Sequence, residues 1–158
     1  MDSLLEGPRR ALYRARRDSS TWPEFAFDAG PAGDRNASAR YGLLLALQYD
    51  RRPGDLPLLR FVLRQQIDWY RELVANYFPT VFFLAGLLVA EHRRVEDVWL
   101  HWEAKELSFD AALGYRDQLL LTPGIAAVRE ATASDDRLSA HLARVRWTDA
   151  DVDAWLAD

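Results

Sequence analysis

Residues 55–78, DLPLLRFVLRQQIDWYRELVANYF, decide the fold class. Leu59, Val62, Leu63, Tyr70, Leu73, Val74 and Tyr77 recur at the three- and four-residue spacing of one helical face, and Arg60, Arg64, Asp68, Arg71 and Glu72 mark the other. A half-buried strand alternates with a period of about two instead. The stretch therefore predicts an amphipathic helix, entered after the Arg52-Pro53-Gly54 stop with Asp55 as its cap.

The same rhythm continues on both sides. Upstream, Pro8 opens a short helix over RRALYRARR, and ARYGLLLALQYD from Ala39 predicts another. Between them, residues 18–38 concentrate Ser, Pro, Gly, Asp and Asn and predict a long loop. Trp22, Phe25 and Phe27 inside that loop predict that it is pinned to the body, since buried aromatic area offsets the entropy of ordering. Downstream, Pro79 ends or kinks the amphipathic helix before TVFFLAGLLVAEH, whose apolar residues go all round and predict a central core helix.

VEDVWLHWEAKEL then reads as a helix, followed by FDAALGYRDQLLL behind a Ser108 cap and a stop at Thr122-Pro123-Gly124. IAAVREATAS and DDRLSAHLARV are further helices, and Thr148 with Asp151 forms a capping box opening DADVDAWLA. No alternating β-branched run predicts a strand, and no repeat of fixed period is present. The expectation is an all-α single domain over residues 1–158, with seven to nine helices in an irregular bundle or short stack of antiparallel hairpins.

Composition narrows the function classes. The chain contains no cysteine, which excludes disulfides, thiolate nucleophiles and cysteine-based metal centres and fits a reducing cytoplasm. MDSLLEGPRRALYRARR lacks the charge order and apolar core of a secretory signal. The longest unbroken apolar run, residues 81–90, is shorter than the roughly 20 residues a spanning helix needs, so no membrane association is expected. Residues 1–60 carry 10 basic and 8 acidic groups, whereas residues 96–158 carry 6 basic and 13 acidic, or +2 against −7. The acidic half repels phosphate backbones and attracts a basic partner; no nucleic-acid partner is expected. RRALYRARR packs five arginines into nine residues, but with Tyr13 as its sole stacking group it reads as a solvated helix or an intramolecular partner for the acidic half.

Catalytic signatures are missing. Among His92, His101 and His141, the pairing of Asp97 with His101 four residues on reads as a surface ion pair, and with no HExxH pattern neither a metal site nor a cofactor is expected. GxSxG, GxGxxG and the phosphate-binding GxxxxGK[ST] are all absent. Glu103, Glu106 and Asp110, with His101, form the one carboxylate group that resembles an acid-base site, which leaves a small helical enzyme as one alternative. The most distinctive segment is 95–124, VEDVWLHWEAKELSFDAALGYRDQLLLTPG. Val95, Val98, Trp99 and Trp102 make a stripe that places both tryptophans in the core, with the acids exposed beside them. As a binding surface the segment offers Glu96, Asp97, Trp99, Trp102, Glu103, Glu106, Asp110 and Asp117, an acidic face with an aromatic edge.

Trp102-Glu103-Ala104-Lys105, then Phe109-Asp110, then Gly114-Tyr115-Arg116-Asp117 resemble a pattern in small bacterial helical proteins similar to the immunity proteins of polymorphic toxin systems. That resemblance spans about thirty residues. It implies a cytoplasmic, non-enzymatic inhibitor that binds and neutralises a cognate toxin, here a basic toxin domain, and it implies no site residues of its own. A homodimeric scaffold associating through Trp99 and Trp102 is the other alternative, so monomer and homodimer both stay open.

Overall fold

The computed structural model describes residues 2–72 and 78–157. It is all-α apart from one pair of two-residue strands. The described residues form ten α-helices and three 3-10 turns, more than the seven to nine helices expected. The excess has a local cause: FDAALGYRDQLLL is cut in two where Tyr115 and Arg116 adopt extended backbone. The chain divides into two compact units, Met1–Ala75 with Pro79–Leu88, and Asn76–Phe78 with Val89–Asp158.

In the first unit, α1 (Asp2–Arg17) begins six residues before Pro8 and carries that proline inside it. It lies against α2 (Ala37–Tyr49), where Gly42 makes room: a Cβ there would sit 3.3 Å from Pro8 Cγ. Residues 18–38 are more ordered than a loop, holding a 3-10 turn (Ser19–Phe25) and the strands β1 (Ala29–Gly30) and β2 (Gly33–Asp34), paired antiparallel with Ala29 opposite Asp34. Gly33 takes φ +107°, a conformation that side-chain-bearing residues resist.

The aromatics do pin this segment. Phe25 is buried, the Trp22 indole Nε1–H donates to the Ala15 carbonyl (2.9 Å) while its ring meets that of Phe61 at a 35° tilt, centroids 5.2 Å apart, and the Phe27 backbone N–H donates to Gln65 Oε1 (2.8 Å). Arg40 completes the attachment from α2: its Nη1 donates to the Phe25 carbonyl and its Nη2 pairs with the buried Asp34 carboxylate.

The amphipathic helix is α3 (Leu56–Glu72), with Leu59, Val62, Leu63 and Tyr70 buried as expected; Leu73, Val74 and Tyr77 lie outside the described residues. Asp55 does not cap it forward. Its carboxylate accepts the Arg52 backbone N–H (2.9 Å) and a two-toothed pair from Arg16 (2.8 and 2.7 Å), because it closes a 3-10 turn over Pro53–Asp55. After Pro79, α4 (Thr80–Ala90) buries Phe82, Ala85, Leu88 and Val89 completely while Val81, Phe83, Leu84 and Leu87 are half-buried, so it is not sealed on every side.

The second unit holds a 3-10 turn (Val95–Asp97), α5 (Val98–Lys105), α6 (Phe109–Gly114), α7 (Asp117–Leu121), α8 (Ile125–Ala131), α9 (Asp136–Leu142) and α10 (Asp149–Ala157). α5 packs on α6 and α7, and α7 on α8 and α10, around Val98, Leu120, Leu121, Val128, Leu138, Leu142 and Val152. The expected stops and caps are present. Gly124 takes φ +107° after α7, Ser108 Oγ accepts the Ala111 N–H (3.0 Å), and Thr148 and Asp151 exchange hydrogen bonds of 2.8 and 3.2 Å. No helix among the described residues is long and apolar enough to cross a membrane.

Candidate interaction surface

Ser108 starts α6 and Lys105 finishes it. Lys105, 7% exposed, reaches from the end of α5 to receive the last carbonyls of α6: its Nζ donates to Ala112 O (2.6 Å) and Tyr115 O (2.7 Å). A cation at a helix C-terminus satisfies carbonyls that have no intrahelical partner and complements the dipole. Its charge is matched by Asp117, 3.2 Å away at the start of α7. The Asp117 carboxylate also accepts from His141 Nε2 of α9 at 2.8 Å, so one carboxylate ties three helices together.

Beneath this lies a second polar pair. His101 Nδ1 is 2.7 Å from the Tyr115 hydroxyl, both fully buried, and His101 Nε2 has no hydrogen-bond partner. Burial lowers the His101 pKa to about 3, which keeps the ring neutral, and raises that of Tyr115 well above its ordinary value, with the Asp97 charge adding to the rise. Asp97 and His101 are 4% and 1% exposed, which corrects the expected surface ion pair. The cause is the 3-10 turn ahead of α5, which brings Asp97 inward with Val98.

The eight expected binding residues do not form one face. Glu96 is exposed, but Asp97 is buried, and Glu106 pairs with Arg137 at 2.6 Å. Glu103, Asp110 and Asp117 are half-buried. The tryptophans also divide. Trp102 is half-buried, packed on the core with its ring 5.1 Å from that of His141, whereas Trp99 is 41% exposed and is not the core residue the stripe implies. Three residues advance a helix by about 300° and so place the two indoles on adjoining but different flanks.

Two residues outside that set stand out. Phe109 and Leu113, one turn apart on α6, are 77% and 64% exposed, while Ala111 on the other side is buried. The sequence places both inside one helix, FDAALGYRDQLLL, without assigning them a side; in the structure that helix is cut at Tyr115 and both side chains are exposed. Tyr115, Lys105 and His141 were also missed as organising residues. Lys105 had one visible signal, as the single lysine among nineteen arginines.

For acid-base chemistry the arrangement is unfavourable. Glu106 is engaged by Arg137 at the end of α5, and His101 is sealed from solvent on Tyr115 instead of sharing a cleft with the carboxylates. Among the described residues, no group of three or more His, Asp or Glu is placed to hold a metal ion. The arginines of RRALYRARR find partners within their own unit: Arg14 with Glu24, Arg16 with Asp50 and Asp55, Arg17 with the Tyr13 hydroxyl.

Comparison with protein-family models, with curated proteins and with solved structures finds no match to this chain.

Proposed function

We propose that the protein is a binding protein, an immunity-type inhibitor that neutralises a basic toxin domain in the cytoplasm through the face centred on α6. The observation that carries this reading is the pair Phe109 and Leu113, held out on a helix whose two ends are hydrogen-bonded in place. Single exposed apolar residues are ordinary on any surface. Two on one face of an anchored helix are preorganised, so docking costs little side-chain and backbone entropy. Trp99 on α5, the helix packed against α6, is also exposed, and exposed Glu96 and half-buried Asp110 carry negative charge in the same segment.

Charge supports the identity of the partner. With 6 basic and 13 acidic residues in 96–158, this half steers toward a basic surface, which is the character of a toxin that handles nucleic acid. The lack of cysteine supports a reducing compartment, and the resemblance of segment 95–124 to immunity proteins supports the inhibitory role.

The test is co-purification of the tagged chain from its native host at low and high salt, with a toxin encoded beside it as the expected stoichiometric partner. Protection of cells from that toxin by the wild type, lost on Phe109→Ser/Leu113→Ser, is the expected result. Protection that survives the double substitution refutes the assigned face, and absence of any basic partner at either salt refutes the function. A dimeric mass that collapses to a monomer on the same double substitution would assign the face to self-association instead.

A further inference from the structure

RRALYRARR, residues 9–17, places five positive charges on nine residues of a chain whose net charge is −4. Within α1 these residues divide by side. Leu12 and Ala15 are buried, and every exposed residue of the stretch is arginine or tyrosine: Arg9, Arg10, Tyr13, Arg14 and Arg17. Arg16 is half-buried and clamped by Asp50 (2.5 Å) and Asp55 (2.7 Å). That clamp, with the buried Leu12 and Ala15, fixes the helix from behind.

The carboxylates that meet the outer arginines lie in water. Arg10 is 3.7 Å from Glu6 and Arg14 is 2.8 Å from Glu24, with each of these side chains about half exposed or more. Such pairs contribute little and exchange readily for another carboxylate. Arg17 rests on Tyr13, its Nη1 donating to the hydroxyl (2.6 Å) and its guanidinium 5.2 Å from the ring centroid. Arg10 and Arg14 are four residues apart and Arg14 and Arg17 three, the spacings at which like charges on a helix repel. The crowding opposes the helix that carries it, and a negatively charged partner relieves it. Beside Arg10 and Arg14 lies a groove of about 930 Å³ bordered by Gly7 and Ala11, and a Cβ added at Gly7 would meet nothing within 4 Å.

We propose that the exposed face of α1 is a docking surface for an acidic helical segment of a partner protein, whose carboxylates pair with Arg10, Arg14 and Arg17. Residues four apart on a helix are separated by about 6 Å along its axis, so a helix laid along α1 repeats the spacing of Arg10 and Arg14. The planar guanidinium fork matches a carboxylate. Nucleic acid suits the face less: Arg17 covers one side of Tyr13, the one ring in the stretch for base stacking, and the net charge of the chain opposes the dense charge of a phosphate backbone. A membrane suits it less still, since no large apolar residue between Glu6 and Arg17 is exposed to enter lipid. The surface belongs to the first unit and is independent of the α6 face and of its basic partner.

The experiment is titration of the full chain at low salt with an alanine-based helical peptide of about 20 residues carrying glutamate at every fourth position, followed by amide-resonance shifts and calorimetry. The same peptide with glutamine in place of glutamate, a uridine oligonucleotide and vesicles of anionic lipid are the comparisons. Saturable, salt-sensitive binding of the glutamate peptide, with shifts centred on α1, is expected. Arg10→Gln/Arg14→Gln and Arg14→Gln/Arg17→Gln should each weaken it about tenfold, the scale of two exposed ion pairs, while keeping the wild-type far-ultraviolet spectrum. Arg129→Gln/Arg144→Gln, which removes the same charge from exposed positions of the second unit, should leave it unchanged. The proposal is overturned if the glutamate peptide does not shift α1, if the glutamine peptide binds as well, or if both α1 variants bind as the wild type does. It is equally overturned if the second-unit variant is weakened as much as they are, or if the oligonucleotide or the vesicles bind more tightly than the peptide.

Discussion

The Tyr115 hydroxyl lies 2.7 Å from His101 Nδ1, and both side chains are excluded from solvent. A histidine held neutral in this way makes stability depend on pH in a defined direction. Its ordinary pKa is about 6.5 in the unfolded chain and falls to about 3 in the folded one because burial penalises the charged ring. Between these values the unfolded chain binds the extra proton. The contribution is complete above about pH 6.5 and is lost as pH falls toward 3, at up to about 1.4 kcal/mol per pH unit. Urea denaturation at stepped pH should show this slope, and His101→Gln, which does not titrate, should remove it. Parallel curves for the two proteins would contradict the burial of His101.

Asp34→Asn should be among the most destabilising substitutions in the first unit. Burial pushes the Asp34 carboxyl up, but the Arg40 hydrogen bond, the N–H groups of Asp28 and Asn36 and the Arg40 charge outweigh it and hold it below its ordinary value. Removing the carboxylate leaves the Arg40 guanidinium charged, buried and uncompensated, a loss of about 3–5 kcal/mol. Replacing both residues, as in Asp34→Leu/Arg40→Met, should cost less than Asp34→Asn alone. Denaturant midpoints of the three variants give the comparison directly.

Gly114→Ala should destabilise the second unit by about 1–3 kcal/mol, although alanine is the better helix former. A Cβ at Gly114 would come within 2.5 Å of Phe78 Cδ1 and 2.8 Å of its Cβ, so the clash is with the root of the ring as well as its edge. Phe78 in turn meets Tyr115 edge-on at 6.1 Å and has little freedom to retreat. A melting temperature at or above the wild type would show that the helix end moves more easily than this packing implies.

Phe109→Ser and Leu113→Ser should leave stability within about 0.5 kcal/mol of the wild type, as exposed substitutions do, while weakening partner binding at least about tenfold. Trp99→Ala should act in the same sense, more weakly. Calorimetric titration against the co-purified partner, beside a thermal melt of each variant, separates the two effects. Destabilisation without loss of affinity would return these side chains to the core.

Thr148→Ala should cost about 1 kcal/mol, because it removes the Oγ1 acceptor of the Asp151 N–H at the head of α10 and the reciprocal contact to the Asp151 carboxylate. Thr148→Ser should restore most of it. Urea curves are sufficient to resolve the difference.

What was legible in the sequence was whatever local chemistry determines. Helical periodicity in 55–72, the Ser108 cap, the Gly124 stop and the Thr148–Asp151 box all depend on residues within a turn of one another, and each is present. What was not legible depends on contacts across long separations. Asp55 looks like a forward cap until Arg16, 39 residues away, is seen to claim it. FDAALGYRDQLLL looks like one helix until Tyr115, buried against His101 14 residues before it, is seen to leave it in extended backbone. The acidic segment was real in composition, but position along the chain does not distinguish an exposed Glu96 from a buried Asp97 beside it.

Lys105 has one more consequence. The chain carries a single side-chain amine and no thiol, and that amine is enclosed by two carbonyls and a carboxylate. To acylating reagents the native surface is therefore nearly blank. Modification of Lys105 must wait for α6 to detach, so its labelling rate is a clock for that opening, and a cysteine introduced anywhere on the surface would be the sole handle for a dye or cross-linker.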